Sequence, residues 1–165
     1  TVSALVELGS GDALVDDLRT LGALYEERLN DPFKAIETHQ AILGLQGESV
    51  ASHSALWRLN LVENRWAAAV KAGFALLEHI TPRDSEDAVS ILRRCANVLG
   101  EALSRWDDAV SAWERLLGLR PSDRETLDAL DALYSSRGDD GRLLSILQRK
   151  VALGAGDQLE LSFDL

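Results

Sequence analysis

What this chain lacks narrows its possibilities first. Its 165 residues hold no methionine, one cysteine and three prolines, and aromatic residues make up only 5%. A single cysteine, Cys95, excludes an internal disulfide and leaves the redox compartment open. It falls in the apolar stripe of a predicted helix, where a thiol acts as a small buried hydrophobe rather than a nucleophile. No apolar run nears the ~20 residues that a membrane-spanning helix needs, and no signal-peptide pattern opens the chain. Basic residues are scarce: 17 Lys and Arg face 27 Asp and Glu, a net charge of −10 spread along the sequence. Nucleic acid and anionic membranes are therefore not expected partners, because both are bound through a basic stripe. With no signal-peptide pattern and no internal disulfide, the cytoplasm is the default expectation.

The usual signatures of chemistry are missing as well. There is no glycine-rich phosphate loop and no nucleophile elbow. His39, His53 and His79 fall on different predicted helices and in no metal-ligand spacing. The acidic doublets Asp16-Asp17, Glu26-Glu27, Asp107-Asp108 and Asp139-Asp140 are sequence neighbours, which on a helix point in different directions. No catalytic residue, cofactor site or metal site is assigned, and an enzyme is not expected.

What is present is a repeat. Hydrophobic residues make up 46% and charged residues 27%, a composition that folds. Ala35-Ile36, Ala69-Val70, Ala109-Val110 and Leu143-Leu144 each open the second half of a predicted helical pair, at steps of 34, 40 and 34 residues. A period of this size means stacked units, none of which closes a core alone. Leu14, Leu18, Leu21, Leu24 and Tyr25 share one side of a helix starting after Asp12. Asp31-Pro32 then restarts the chain, with Asp as cap and Pro in the first turn, and the second helix runs to about Gln46. Further helices are predicted over about 49–63, 65–79, 84–103, 105–118, 122–137 and 139–153. Ser122 and Glu125 have capping-box spacing. Gly138-Asp139 marks the last turn within a pair.

Residues in these helices resemble the tetratricopeptide repeat pattern, Trp-x-x-Leu-Gly-x-x-Tyr followed by Ala-x-x-x-Phe and a Pro. Leu18-x-x-Leu21-Gly22-x-x-Tyr25 precedes Ala35-x-x-x-His39; Ala109-x-x-x-Trp113 precedes Pro121; and Leu127-x-x-Leu130-Asp131-x-x-Tyr134 opens the fourth unit. The resemblance spans about residues 12–153 and implies an all-α, right-handed α-α superhelix, a TPR-like solenoid of about four helix pairs. Units one and three read one residue longer between their helices than the family pattern. Unit two lacks the first-helix signature, so its register reads in two ways, one residue apart. The step of 40 places extra residues at 79–84, as a longer loop or a longer helix.

The expected organisation is the end of a preceding repeat helix over 1–11, repeats over 12–47, 48–81, 82–121 and 122–156, and a tail or capping segment over 157–165. The opening Leu5-Val6-Glu7-Leu8-Gly9-Ser10-Gly11-Asp12 reads like the helix ends at 116–123 and 150–157, which suggests a piece of a longer array. In the tail, Leu159, Leu161, Phe163 and Leu165 alternate with polar residues. That period suits an extended segment, but the start of a further helix or a cap is the preferred reading, because the open end of a stack needs cover.

The resemblance also implies a function: a non-catalytic scaffold or adaptor that binds a partner in the concave groove lined by first helices. Candidate partners are a C-terminal peptide, a helix, a small GTPase or another repeat protein, with self-association also possible. Carried over by motif position, the groove residues are Arg19, Glu26, His53, Trp57, Asn60, Arg93, Asn97 and Asp128. Arg93 and Asn97, four apart, could together hold a carboxylate or a peptide backbone. The full Lys, Asn and Arg set of the family's carboxylate clamps is not present. Trp57 faces the groove in one register and the helix-packing core in the other. The alternative function is a structural spacer or self-association segment.

Overall fold

The computed structural model describes the backbone of residues 2–163 and the side chains of residues 11–158. Among these there are eight α-helices and no strand: α1 (Val2–Glu27), α2 (Pro32–Gln46), α3 (Val50–Val62), α4 (Trp66–Leu77), α5 (Glu86–Asn97), α6 (Trp106–Leu119), α7 (Arg124–Arg137) and α8 (Asp140–Phe163). A π-helical turn, Val98–Ala102, extends α5. Each helix packs on its sequence neighbours, α1 on α2, α2 on α3 and α3 on α4, then α5 on α6, α6 on α7 and α7 on α8. The chain divides at the loop over 78–85 into two compact units, one ending at His79 and one beginning at Ile80, and each holds two helix pairs.

Short polar residues start the helices where the N–H groups of the first turn need acceptors. Asp31 accepts from Lys34 N–H at 3.1 Å, with Pro32 in the first turn of α2. Ser49 and Ser85 do the same for α3 and α5. At α7 the cap is Asp123, which accepts from Thr126 N–H at 2.9 Å, and not the expected Ser122, because the helix begins one residue later.

The four turns inside the pairs share one backbone feature. Asn30, Asn64, Ser104 and Gly138 have φ of 49°, 55°, 53° and 68°, so a left-handed residue recurs with the sequence period just before each second helix. Asn and Gly take this conformation readily, whereas Ser does so at a cost. The closing hydrogen bond that follows separates the pairs. Asp31 N–H reaches Tyr25 O at 2.9 Å and Arg105 N–H reaches Leu99 O at 2.7 Å, each spanning six residues. Arg65 N–H reaches Asn60 O at 2.8 Å and Asp139 N–H reaches Tyr134 O at 3.0 Å, each spanning five. The first and third pairs thus carry one extra residue at the turn, and in the third it is absorbed by the π-helical turn.

Small residues let the paired helices approach closely. Ala35, Ala69 and Ala109 are all fully buried, beside Ile36, Val70 and Val110. Trp113 is buried at the aromatic position of α6, and Cys95 is fully buried, with its thiol pushed up to about 12 by that burial. The extra residues at 79–84 form a loop and do not lengthen a helix.

One terminal expectation differs and one open alternative is decided. α1 runs without a break through Gly9-Ser10-Gly11, and α8 continues through Gly154 and Gly156 to Phe163. Glycine within a helix costs about 1 kcal/mol without terminating it. The backbone at Leu159, Leu161 and Phe163 is therefore helical rather than extended, and Leu165 lies outside the described residues. No helix is long and apolar enough to cross a membrane among the described residues.

Candidate functional site: the first-helix surfaces

In the first unit, α1 and α3 are joined by a chain of polar contacts through α2. His39 Nε2 lies 3.1 Å from Glu26 Oε1, and His39 Nδ1 lies 3.4 Å from Ser52 Oγ. Arg58 donates from its guanidinium to the other Glu26 oxygen. In neutral His39 the Nε2–H donates to the carboxylate, so Nδ1 accepts from the Ser52 hydroxyl. Burial raises the Glu26 pKa, but the hydrogen bonds from Arg58 and then His39 outweigh it and hold this carboxylate below its ordinary value. Arg19, about two turns before Glu26, is exposed, with Nη1 at 2.8 Å from Asp16 Oδ1 and Nη2 at 3.4 Å from Gln46 Oε1.

The closing bond to Asn60 settles the register of α3, because it makes Asn60 the counterpart of Tyr25 and Tyr134. This moves all three groove residues expected there, His53, Trp57 and Asn60, off the groove position by one residue. Asn60 is 1% exposed, donates from Nδ2 to Leu56 O at 2.7 Å and leaves Oδ1 without a donor, so it does not stand on the surface of the first helices. Trp57 is half-buried against the cluster of Ala35, Ile36, Leu56, Leu59 and Ala72, so its ring helps close the core. The outward position that the expected register gave to Trp57 belongs to Arg58. Only the turn geometry distinguishes the two readings, and the sequence of α3 carries no motif residue that would.

His53 is also half-buried, and it meets a residue that the sequence kept apart from it. Its ring stacks on His79 with centroids 5.8 Å apart and planes 20° from parallel, while His79 Nε2 stands 4.0 Å from Glu48 Oε2. Burial first, and then the neighbouring His79, push the His53 pKa below its ordinary value, with Glu48 opposing.

In the second unit, α5 and α7 are joined in the same manner with the charges reversed. Arg93 Nη2 donates to Asp123 Oδ1 at 3.0 Å. Its Nε lies 2.9 Å from Glu125 Oε2, off the line of a hydrogen bond, so that contact is ionic alone. Burial raises the Asp123 pKa, but hydrogen bonds from the Thr126 side chain and backbone and from Arg93 more than reverse it. Asn97, one turn beyond Arg93, is half-buried, and its side chain makes no hydrogen bond among the described residues. Asp128 is exposed and takes Lys150 Nζ at 2.6 Å, a lysine that Asp131 also holds at 2.8 Å.

The eight expected residues thus divide between the units. Arg19, Glu26, His53, Trp57 and Asn60 belong to the first, and Arg93, Asn97 and Asp128 to the second. Among the described residues, no group of three or more His, Cys, Asp or Glu side chains gathers to hold a metal ion.

No protein-family model matches the chain, and no curated protein matches it. Its fold does match solved structures. MamA of AMB-1 is similar over 90% of this chain and 78% of that one, at 21% identity and a TM-score of 0.61. Another MamA structure covers 96% of this chain and 81% of its own, at 16% identity and a TM-score of 0.57. MamA from Desulfovibrio magneticus RS-1 covers 86% and 76%, at 11% identity and a TM-score of 0.52. With these neighbours, its paired helices and its recurring turns, the chain has an all-α, TPR-like helical fold.

Proposed function

We propose that this chain is a non-catalytic protein-interaction module whose partner docks on the first helices of its pairs, α1 with α3 and α5 with α7. The observation that carries the reading is the cross-helix ion pairing. Glu26–Arg58 and Arg93–Asp123 lock neighbouring first helices to one another, which gives a rigid platform of the kind that preorganised recognition needs. The TPR-like fold supports a partner that is itself protein or peptide.

The same pairing refines which residues meet the partner. Arg93 already faces two carboxylates, so it is spent as a clamp for a terminal carboxylate, whereas the amide of Asn97 is uncommitted and suits a peptide backbone. Of the expected groove residues this reading retains Arg19, Asn97 and Asp128, and it adds Arg58. The test places a photo-crosslinking residue at position 97, with position 111 on α6 as control. Capture of one protein through position 97, competed by an Asn97→Arg variant, supports the platform. Equal capture through both positions rejects it.

A second reading, self-association or service as a spacer in a longer array, is favoured by one feature of α8. Leu144, Leu147 and Val151 recur at three and four residues and are 58%, 41% and 71% exposed, an apolar stripe on the last helix. Sedimentation across a concentration series, with Leu147→Lys/Val151→Lys for comparison, separates a monomer from an associating chain.

A further inference from the structure

In the first unit a cleft of about 230 Å³ opens between α2 and α4, with α3 as its floor, where the second unit is filled. The comparison is residue by residue at a constant offset of 74. Gln40, Asn60 and Ala68 line the cleft, and their counterparts are Glu114, Tyr134 and Arg142. In the second unit, Tyr134 lies in the corresponding gap between α6 and α8. Its Oη donates to Glu114 Oε1 at 2.6 Å, and the Arg142 guanidinium sits 5.8 Å from the ring centroid. The first pair carries the cation-over-ring part of this device, with Lys34 Nζ 5.5 Å from the Tyr25 ring centroid.

In the pair formed by α3 and α4 the ring and the cation of that device are cut back, while Gln40 keeps a hydrogen-bonding group at the Glu114 position. Asn replaces the phenol, Ala68 replaces the cation, and Ala72 stands where Ile146 is buried. The floor retains a polar side chain whose acceptor is unspent, since Asn60 is 1% exposed and its Oδ1 has no donor. The lining holds no Asp or Glu, in a chain of net charge −10, but it holds Lys71, which makes no ion pair among the described residues.

We infer that this cleft receives a tyrosine side chain of a partner segment, with an acidic residue beside it that meets Lys71. The ring would take the place that Tyr134 fills in the second unit, against Leu56 and Ala72, and its hydroxyl would bond to Gln40 as Tyr134 does to Glu114. The lysine rejects a basic flank and favours a carboxylate. Formed by α2, α3 and α4, this site shares α3 with the first-helix platform but uses none of Arg19, Arg58, Asn97 or Asp128.

The test uses the whole chain and small probes followed by heteronuclear NMR. 4-Hydroxyphenylacetate carries both the phenol and the carboxylate, and p-cresol carries the phenol alone. Ligands of this size that fit bind in the millimolar range. The expected result is saturable shifts at Leu43, Leu56, Ala68 and Ala72, with none at the counterparts Leu117, Leu130 and Ile146. Asn60→Tyr fills the cleft from within and should weaken both probes at least tenfold. Lys71→Glu should weaken 4-hydroxyphenylacetate several-fold and leave p-cresol unchanged. Should Asn60→Tyr misfold, Ala72→Ile closes the cleft with the residue found at its counterpart. Absence of saturable shifts, equal shifts in both units, or unchanged affinity in a folded filled variant would overturn the inference.

Discussion

Arg93 Nη2 donates to Asp123 Oδ1 across 3.0 Å, so the middle of α5 is tied to the residue that caps α7. One arginine therefore serves two ends, linking two first helices and steadying a helix start. The carboxylate receives the Thr126 backbone N–H as well, so the cap and the ion pair are one assembly.

Replacing Arg93 by Ala is expected to lower stability by roughly 1–2 kcal/mol, the range for a charge-assisted hydrogen bond at a partly buried site. Urea unfolding measures it. The acid limb should change too. The folded-state pKa of Asp123 lies below the ordinary 3.8, so its contribution is full above that value and is lost as the pH falls through the lower, folded one. Arg93→Ala should shrink this loss, and an unchanged acid profile would separate Asp123 from the pair.

Asn60→Leu is expected to stabilise the chain by about 1 kcal/mol, since it removes a buried carbonyl that has no donor. Leu already occupies the counterpart position at Leu99, fully buried. Thermal unfolding should show a higher Tm, and a lower one would mean that Oδ1 is satisfied in solution.

Ser104→Gly should also stabilise, by up to about 1 kcal/mol, because Ser104 alone among the four turn residues is neither Asn nor Gly at positive φ. The reverse change at the equivalent turn, Gly138→Ala, should destabilise by about as much. Together the two variants test whether the left-handed residue is a backbone requirement of every pair.

His53 makes stability depend on pH near neutrality. Its folded-state pKa is depressed, so the unfolded chain binds the proton first as the pH falls through 6.5. The contribution of His53 is full above that value and diminishes between it and the lower, folded pKa. His79→Phe removes the neighbouring imidazole and should bring the His53 pKa, read by NMR titration, back toward 6.5. An unaltered titration would assign the shift to burial alone.

Much of this architecture was legible because it rests on local rules. The steps of 34, 40 and 34 residues, the Asp31-Pro32 start and the longer first and third turns all follow from spacing and cap chemistry, and the observed helices follow them. The register of α3 was not legible, since it lacks the motif residues and only the Arg65–Asn60 closing bond distinguishes two frames one residue apart. That single step moved Trp57 and Asn60 inward and brought Arg58 to Glu26. Helix ends misled for a different reason. Glycine near a terminus reads as a stop, yet an isolated glycine costs less than a continuing helix recovers.

By itself, then, the sequence determined that this protein is built of helical pairs, where each pair turns, and that its net charge is −10, because periodicity, capping and net charge are properties of neighbouring residues and of sums. The tertiary structure alone decided which side chains are spent on one another. Arg93 meeting Asp123, His53 stacking on His79, and a cleft at Asn60 where Tyr134 fills its counterpart all join residues 20 or more positions apart or depend on a missing side chain, and only the packing of one helix on another brings such groups together or leaves such room.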